Sequence, residues 1–200
     1  MTTEADFFTA VATKDKALLL RLIAEKKNVN TRGERNRTPL LMCVWDDYAE
    51  GARLLLEAGA DVNALDDLHD TPFLLSGAEG RVEIMRYILK YGKPDFTVRN
   101  RYGGSALIPA CERGHTEMVK LLIAAGVDVD HVNDLGWTGL LEVLELGGDD
   151  ADHVTITRDL IAAGANVNLA DKEGRTPLFL AKKYGLKRVA KLIEDAGGHM

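Results

Sequence analysis

A three-residue phrase returns along this chain at a nearly constant interval, and that periodicity constrains the fold more than any other feature. Thr38-Pro39-Leu40 is followed by Thr71-Pro72-Phe73, Ser105-Ala106-Leu107, Thr138-Gly139-Leu140 and Thr176-Pro177-Leu178, at intervals of 33, 34, 33 and 38 residues. A second marker keeps time with the first. Gly59, Gly92, Gly126 and Gly197 each trail their own Thr or Ser by 21 residues, and Gly164 trails by 26. The surplus residues therefore have addresses, one near Lys93-Pro94 and five between Leu146 and Ile156. Two markers held in phase over five copies predict short units laid side by side, each too small to bury a core alone.

The residue types say what each unit is. A Thr or Ser oxygen caps the free amides at a helix start, and proline suits the first helical position. A second helix follows, such as Glu117-Met118-Val119-Lys120-Leu121-Leu122-Ile123, with one apolar face. Glycine then ends it, because a left-handed backbone there costs other residues about 1 kcal/mol. Segments like "ADVNALDD" are extended and turn-rich and lead the chain to the next cap. The region from Ala5 to Lys27 reads as a helix pair without the cap motif, with Lys26 where a glycine is expected. At the other end Glu194 stands where earlier copies have Leu56, Leu89, Ile123 and Ile161, as suits a last unit facing water.

With "LLLEAGADVN" and "GHTEMVKLLIAAGVDVD" the chain resembles the ankyrin-repeat family over nearly its whole length, and its later copies resemble small stand-alone bacterial ankyrin proteins. The resemblance implies an all-α solenoid of about six stacked helix-turn-helix units joined by β-turn or hairpin loops. As one domain, 1–200, its units run 1–31, 32–64, 65–98, 99–131, 132–169 with an insertion at 147–155, and 170–200. It also implies a non-enzymatic module that binds a partner protein through a concave face of turn tips and first helices. One departure stands out. The family's histidine after Thr-Pro-Leu is replaced by Leu41, Leu74, Ile108, Leu141 and Phe179, which predicts apolar packing where that histidine would form hydrogen bonds.

Composition narrows the rest. With 25 basic against 31 acidic residues and a net charge of −6, the chain lacks the positive excess that nucleic-acid binding needs. No apolar run reaches bilayer length, and the opening "MTTEADFFTAVATKDK" is not a secretory signal. Two cysteines make no disulfide framework. The expectation is a cytoplasmic monomer without cofactor or metal.

Several groups of residues invite a chemical reading. Cys111 and His115 could suggest a nucleophile pair, but the phase puts Cys111 on the packed side of a first helix and His115 in a turn. Glu142 and Glu145 share a helical face with no nucleophile nearby. Asp149, Asp150, Asp152 and His153 lie in the insertion without the spacing of a calcium loop, so a solvated, mobile loop is expected there. Charges alternate between turn tips. Arg32, Arg35 and Arg37 face Asp66, Asp67 and Asp70, then Arg99 and Arg101, so neighbouring tips could pair with each other instead of with a partner. The register selects Arg35, Arg37, Trp45, Asp70, Arg101, Tyr102, Glu112, Arg113, Trp137, Glu142 and Glu145 as partner contacts, since large aromatics and arginine dominate binding energy. The competing reading is a small-molecule or cryptic enzymatic site around Cys111, His115, Trp137 and Glu142.

Overall fold

Each recurring threonine opens a helix. In the computed structural model, which describes residues 6–200, the Oγ1 atoms of Thr38, Thr71, Thr138 and Thr176 accept the amide three residues on at 3.0–3.2 Å. The helices that follow are α3 (Pro39–Trp45), α5 (Pro72–Ala78), α9 (Gly139–Glu145) and α11 (Pro177–Lys183), and α1 (Asp6–Ala12) and α7 (Leu107–Glu112) complete the set of first helices. The second helices are α2 (Lys16–Ala24), α4 (Ala49–Glu57), α6 (Val82–Tyr91), α8 (Thr116–Ala124), α10 (Ala151–Ala162) and α12 (Lys187–Asp195). Among the described residues the architecture is therefore all-α, in six consecutive pairs.

The helices divide into two compact units, one ending at Arg101 and the other starting at Tyr102. Within each unit, every first helix packs on its own second helix and on the first helix of the next repeat, and second helices pack in the same order. Four of the five residues that replace the family histidine serve this packing: Leu41, Leu74, Ile108 and Leu141 are buried, whereas Phe179 in the last repeat is exposed. Burying each such side chain contributes about 1.5–3 kcal/mol. Glu194 faces water and pairs with Lys182 at 2.7 Å.

Polar rungs tie consecutive repeats together. Asn30 accepts the amide of Asp61 at 2.8 Å and donates to the Gly59 carbonyl. Asn63 does the same with Asp95 and Lys93, and Asn168 with His199 and Gly197. Asp130, at the same register, accepts from Asn166. Each rung is the last residue of a segment like Ala-Asp-Val-Asn. At this register Thr97 instead bonds Asp95 in its own segment.

Three expectations need correction. Ser105 does not cap: α7 starts late, after Ala106, and the Ser105 Oγ is buried without a hydrogen-bond partner. Proline explains it. In the other copies the residue four past the cap donates its amide to the cap carbonyl, as Met42, Leu75, Glu142 and Leu180 do at 2.9–3.1 Å. Pro109 has no amide to give. Second, Gly59, Gly126, Gly164 and Gly197 are left-handed, but Gly92 has φ −90°. Its glycine is needed for space, because a Cβ would lie 2.6 Å from Val62. Lys26, by contrast, adopts φ 56° without being glycine.

Third, the insertion is built structure, not a loose loop. Asp150 caps α10 by accepting the amides of Asp152 and His153. Asp149 reaches into the next repeat and caps α12, accepting the amides of Arg188 at 3.1 Å and Val189 at 2.8 Å. The acids seen as a potential cation cluster are thus spent on helix starts, where their charge meets the positive end of the helix dipole.

Candidate functional site

Three of the tips that precede capped helices share one device. Asp66, Asn133 and Asp171 are buried, and one oxygen of each accepts the two backbone amides that lie two and four residues on. These are Leu68 and Asp70, Leu135 and Trp137, and Glu173 and Arg175, at 2.8–3.0 Å. An internal acceptor of this kind fixes the tip before any partner arrives, which lowers the entropy lost on binding. Neighbouring tips also join through main chain, Asp67 N–H to the Arg35 carbonyl and Asp134 N–H to that of Tyr102.

In the first unit the selected residues meet around one arginine. The Arg37 guanidinium lies over the Trp45 ring, 5.1 Å from its centroid, with its Nε 3.4 Å from the Asp66 carboxylate. Tips therefore do pair with each other, as the alternation of charge allows. Half-buried Asp70 has its carboxyl pushed up by burial and then by Asp66, with Arg101 and Arg37 pulling it back down. Trp45, Arg35 and Arg101 are exposed.

In the second unit the structure separates the selected residues. Tyr102 is 54 % exposed. Arg113 is exposed, while Glu112 and Trp137 are half-buried. Glu145 pairs with Arg175 at 3.0 Å and accepts the Tyr184 hydroxyl at 2.9 Å. Glu142 is interior. Only 4 % of it is exposed, its Oε1 accepts the Asn133 side-chain amide at 3.0 Å, and its Oε2 is buried without a hydrogen-bond partner. Burial raises its pKa to about 7, the Glu112 and Glu145 carboxylates add to that, and the Asn133 hydrogen bond opposes it.

The geometry gives little to a nucleophile at Cys111. Its thiol is fully buried against Gly139, whose position a Cβ could occupy only at 3.0 Å from the sulfur. Burial, followed by the Glu142 charge, drives the thiol pKa up, away from the reactive thiolate. Cys43 is likewise buried and free. Half-buried His115 sits at the start of α8. Among the described residues no three His, Cys, Asp or Glu side chains gather as a metal would require, and no helix is long and apolar enough to cross a membrane.

Stacked helix pairs, capped tips and side-chain rungs between successive repeats define a helical repeat protein. Residues 35–67 match the ankyrin repeat family, and residues 60–133, 78–150 and 110–199 match the three-copy ankyrin repeats family. The chain is 35 % identical over 195 residues to the ankyrin repeat protein YahD of Escherichia coli (strain K12), covering 96 % of both. Its fold is similar to that of an ankyrin repeat domain from Acinetobacter baumannii AYE, with a TM-score of 0.95 at 45 % identity over 98 % of this chain and 100 % of that one. The ankyrin repeat domain of Bcl-3, a member of the IkappaB protein family, superposes with a TM-score of 0.88 at 25 % identity, over 100 % of this chain and 89 % of that one. This chain belongs to the ankyrin-repeat family. Ankyrin repeats generally mediate protein–protein interaction, and the fold is generally a non-enzymatic scaffold.

Sequence reasoning missed the Asp66, Asn133 and Asp171 braces and the Asn rungs. Both were visible as polar residues recurring at one phase, five and eight positions before the cap.

Proposed function

We propose that the chain is a non-enzymatic recognition module that binds a protein partner through its turn tips and first helices, the positions that line the concave face in ankyrin stacks. One observation carries this reading. Large apolar side chains left in solvent concentrate on or beside these positions: Trp45, Tyr102, Leu135 and Phe179 lie on them, and Leu146 and Tyr184 just past the ends of first helices, all 37–57 % exposed. Among the second helices of the described residues, Leu20 and Tyr91 are the exposed large apolar residues. Aromatic residues beside arginine are the types that anchor interfaces, and Arg37 over Trp45 presents such a pair already ordered. The selected contacts become Arg35, Arg37, Trp45, Asp70 and Arg101 on the first unit. On the second they are Tyr102, Glu112, Arg113, Trp137 and Glu145. Glu142 acts from beneath, by holding the Asn133 brace under the Trp137 tip.

The test is differential capture from native cell extract by wild type and by a Trp45→Ala/Tyr102→Ala variant with an unchanged circular dichroism spectrum. A partner retained by wild type and weakened at least tenfold by the variant supports the face. A partner bound equally by both, or lost only when Leu20 and Tyr91 are replaced, overturns it.

A further inference from the structure

The tip at residues 33–37 differs from those at Asp66, Asn133 and Asp171 in what it lacks. Gly33 stands at the phase of Asp66, Asn133 and Asp171, so no side-chain oxygen braces this tip from within. A side chain at this position would strike the Phe8 ring, 2.6 Å from the added Cβ. Arg35 and Asn36 both adopt left-handed backbone, φ 54° and 58°. Arg37 N–H turns to the Glu34 carbonyl at 3.2 Å. The Arg35 N–H, whose counterparts at Leu68, Leu135 and Glu173 are bound by the brace, has no acceptor among the described residues.

Beside this tip lies a cavity of about 450 Å³ lined by Phe8, Gly33, Glu34, Arg35, Arg37 and Met42. The volume is within the range of small-molecule sites, which join an apolar lining to a few polar groups. The half-buried Phe8 and Met42 supply the apolar part. The charge around it is unusual for a chain of net −6. Arg32 donates to two carbonyls, of Asn36 and Leu65, not to an acid. Arg37 pairs with Asp66 at 3.4 Å, and Arg35, which follows Glu34 in the chain, makes no ion pair among the described residues. On the lining itself two guanidinium groups stand with one carboxylate, Glu34; Asp66 matches Arg37 from behind, which leaves Arg35 as the guanidinium there without an ion pair among the described residues.

We propose that this cavity is a binding site for a small monocarboxylate with an apolar body, its carboxylate received by Arg35 and Arg37 and its body lying on Phe8 and Met42. The ligand carboxylate would supply to the Arg35 N–H the oxygen that Asp66 and Asp171 supply to those of Leu68 and Glu173. Glu34 disfavours a dianion, and the lack of any further acid on the lining disfavours a cation. The site is separate from the exposed aromatic positions on which the protein-binding reading rests, although Arg37, stacked on Trp45, links the two.

That stacking provides a reporter. The chain has two tryptophans, so a Trp137→Phe variant leaves Trp45 alone to fluoresce. The probe is 5-phenylvalerate, with 5-phenylpentan-1-ol as the uncharged match. The carboxylate should change Trp45 emission saturably, and the alcohol should bind at least about tenfold more weakly, the loss of one charge-assisted hydrogen bond. Arg35→Ala, at an exposed position without an ion pair among the described residues, should weaken the carboxylate by a similar factor and leave the alcohol unaffected. Amide shifts in the ¹⁵N spectrum of the wild-type chain should concentrate at Gly33, Arg35, Arg37 and Met42. No saturable change, equal binding of acid and alcohol, or an unaltered carboxylate affinity in Arg35→Ala would each overturn the site.

Discussion

Replacing Glu142 by glutamine should stabilise this protein at pH 8 and leave it nearly unchanged at pH 4.5. The wild-type carboxyl is interior, holds Asn133 through one oxygen and leaves the other without a partner. Its pKa rises from 4.5 to about 7. Because the folded value is the higher, the folded chain holds the proton more tightly than the unfolded chain. The stability this confers is fully present below pH 4.5 and is lost as the pH climbs through about 7. A shift of that size corresponds to about 3 kcal/mol, and partial solvation through half-buried Glu112 and Glu145 trims it to about 2. Glutamine keeps an oxygen for Asn133, gains an N–H₂ and never ionises. The variant's advantage should therefore grow from near zero to about 2 kcal/mol, or about 4–8 °C in Tm for a chain of this size. Thermal unfolding of both proteins at half-unit intervals from pH 4.5 to 8.5 measures it. Glu112 and Glu145 raise the Glu142 value, so the growth should shrink in a Glu112→Gln background. A pH-independent difference between the two proteins, or a variant less stable at pH 8, would refute the reasoning.

Two further perturbations follow from the caps. Thr71→Ala removes a made bond to the Leu74 amide and should cost about 1 kcal/mol, whereas Ser105→Ala removes a buried hydroxyl with no partner and should be neutral or stabilising; urea unfolding of the two variants compares them directly. Asp149→Ala should cost about 1 kcal/mol and speed amide exchange in α12, in the following repeat, more than in α10, whose cap is Asp150.

The repeat, its helices and its last, water-facing copy were legible because they rest on local rules: an oxygen three residues before an amide, a proline at a helix start, a glycine at its end. The exceptions came from pairs of rules meeting. Ser105 satisfies the cap pattern, but Pro109 removes the bond that would close the first turn behind it. Glu142 was placed among the partner contacts by its register on a first helix. Its counterparts Leu75 and Leu180 are buried, and their apolar character was the better guide to its place than the register alone. The acids of the insertion could not be assigned from spacing, because Asp149 serves a helix 39 residues further on. Gly33 was legible only as an omission, once the brace at Asp66, Asn133 and Asp171 had been seen.

Asp149 also changes what the extra residues mean for the repeat that comes after them. A surface insertion is ordinarily free to lengthen, shorten or vanish, since nothing outside its own loop depends on it. Here the helix start of one repeat is supplied by its predecessor's extra segment. Excising that segment would injure the repeat that follows. The two repeats are thus a coupled pair, to be exchanged, shuffled or redesigned together if α12 is to keep its cap.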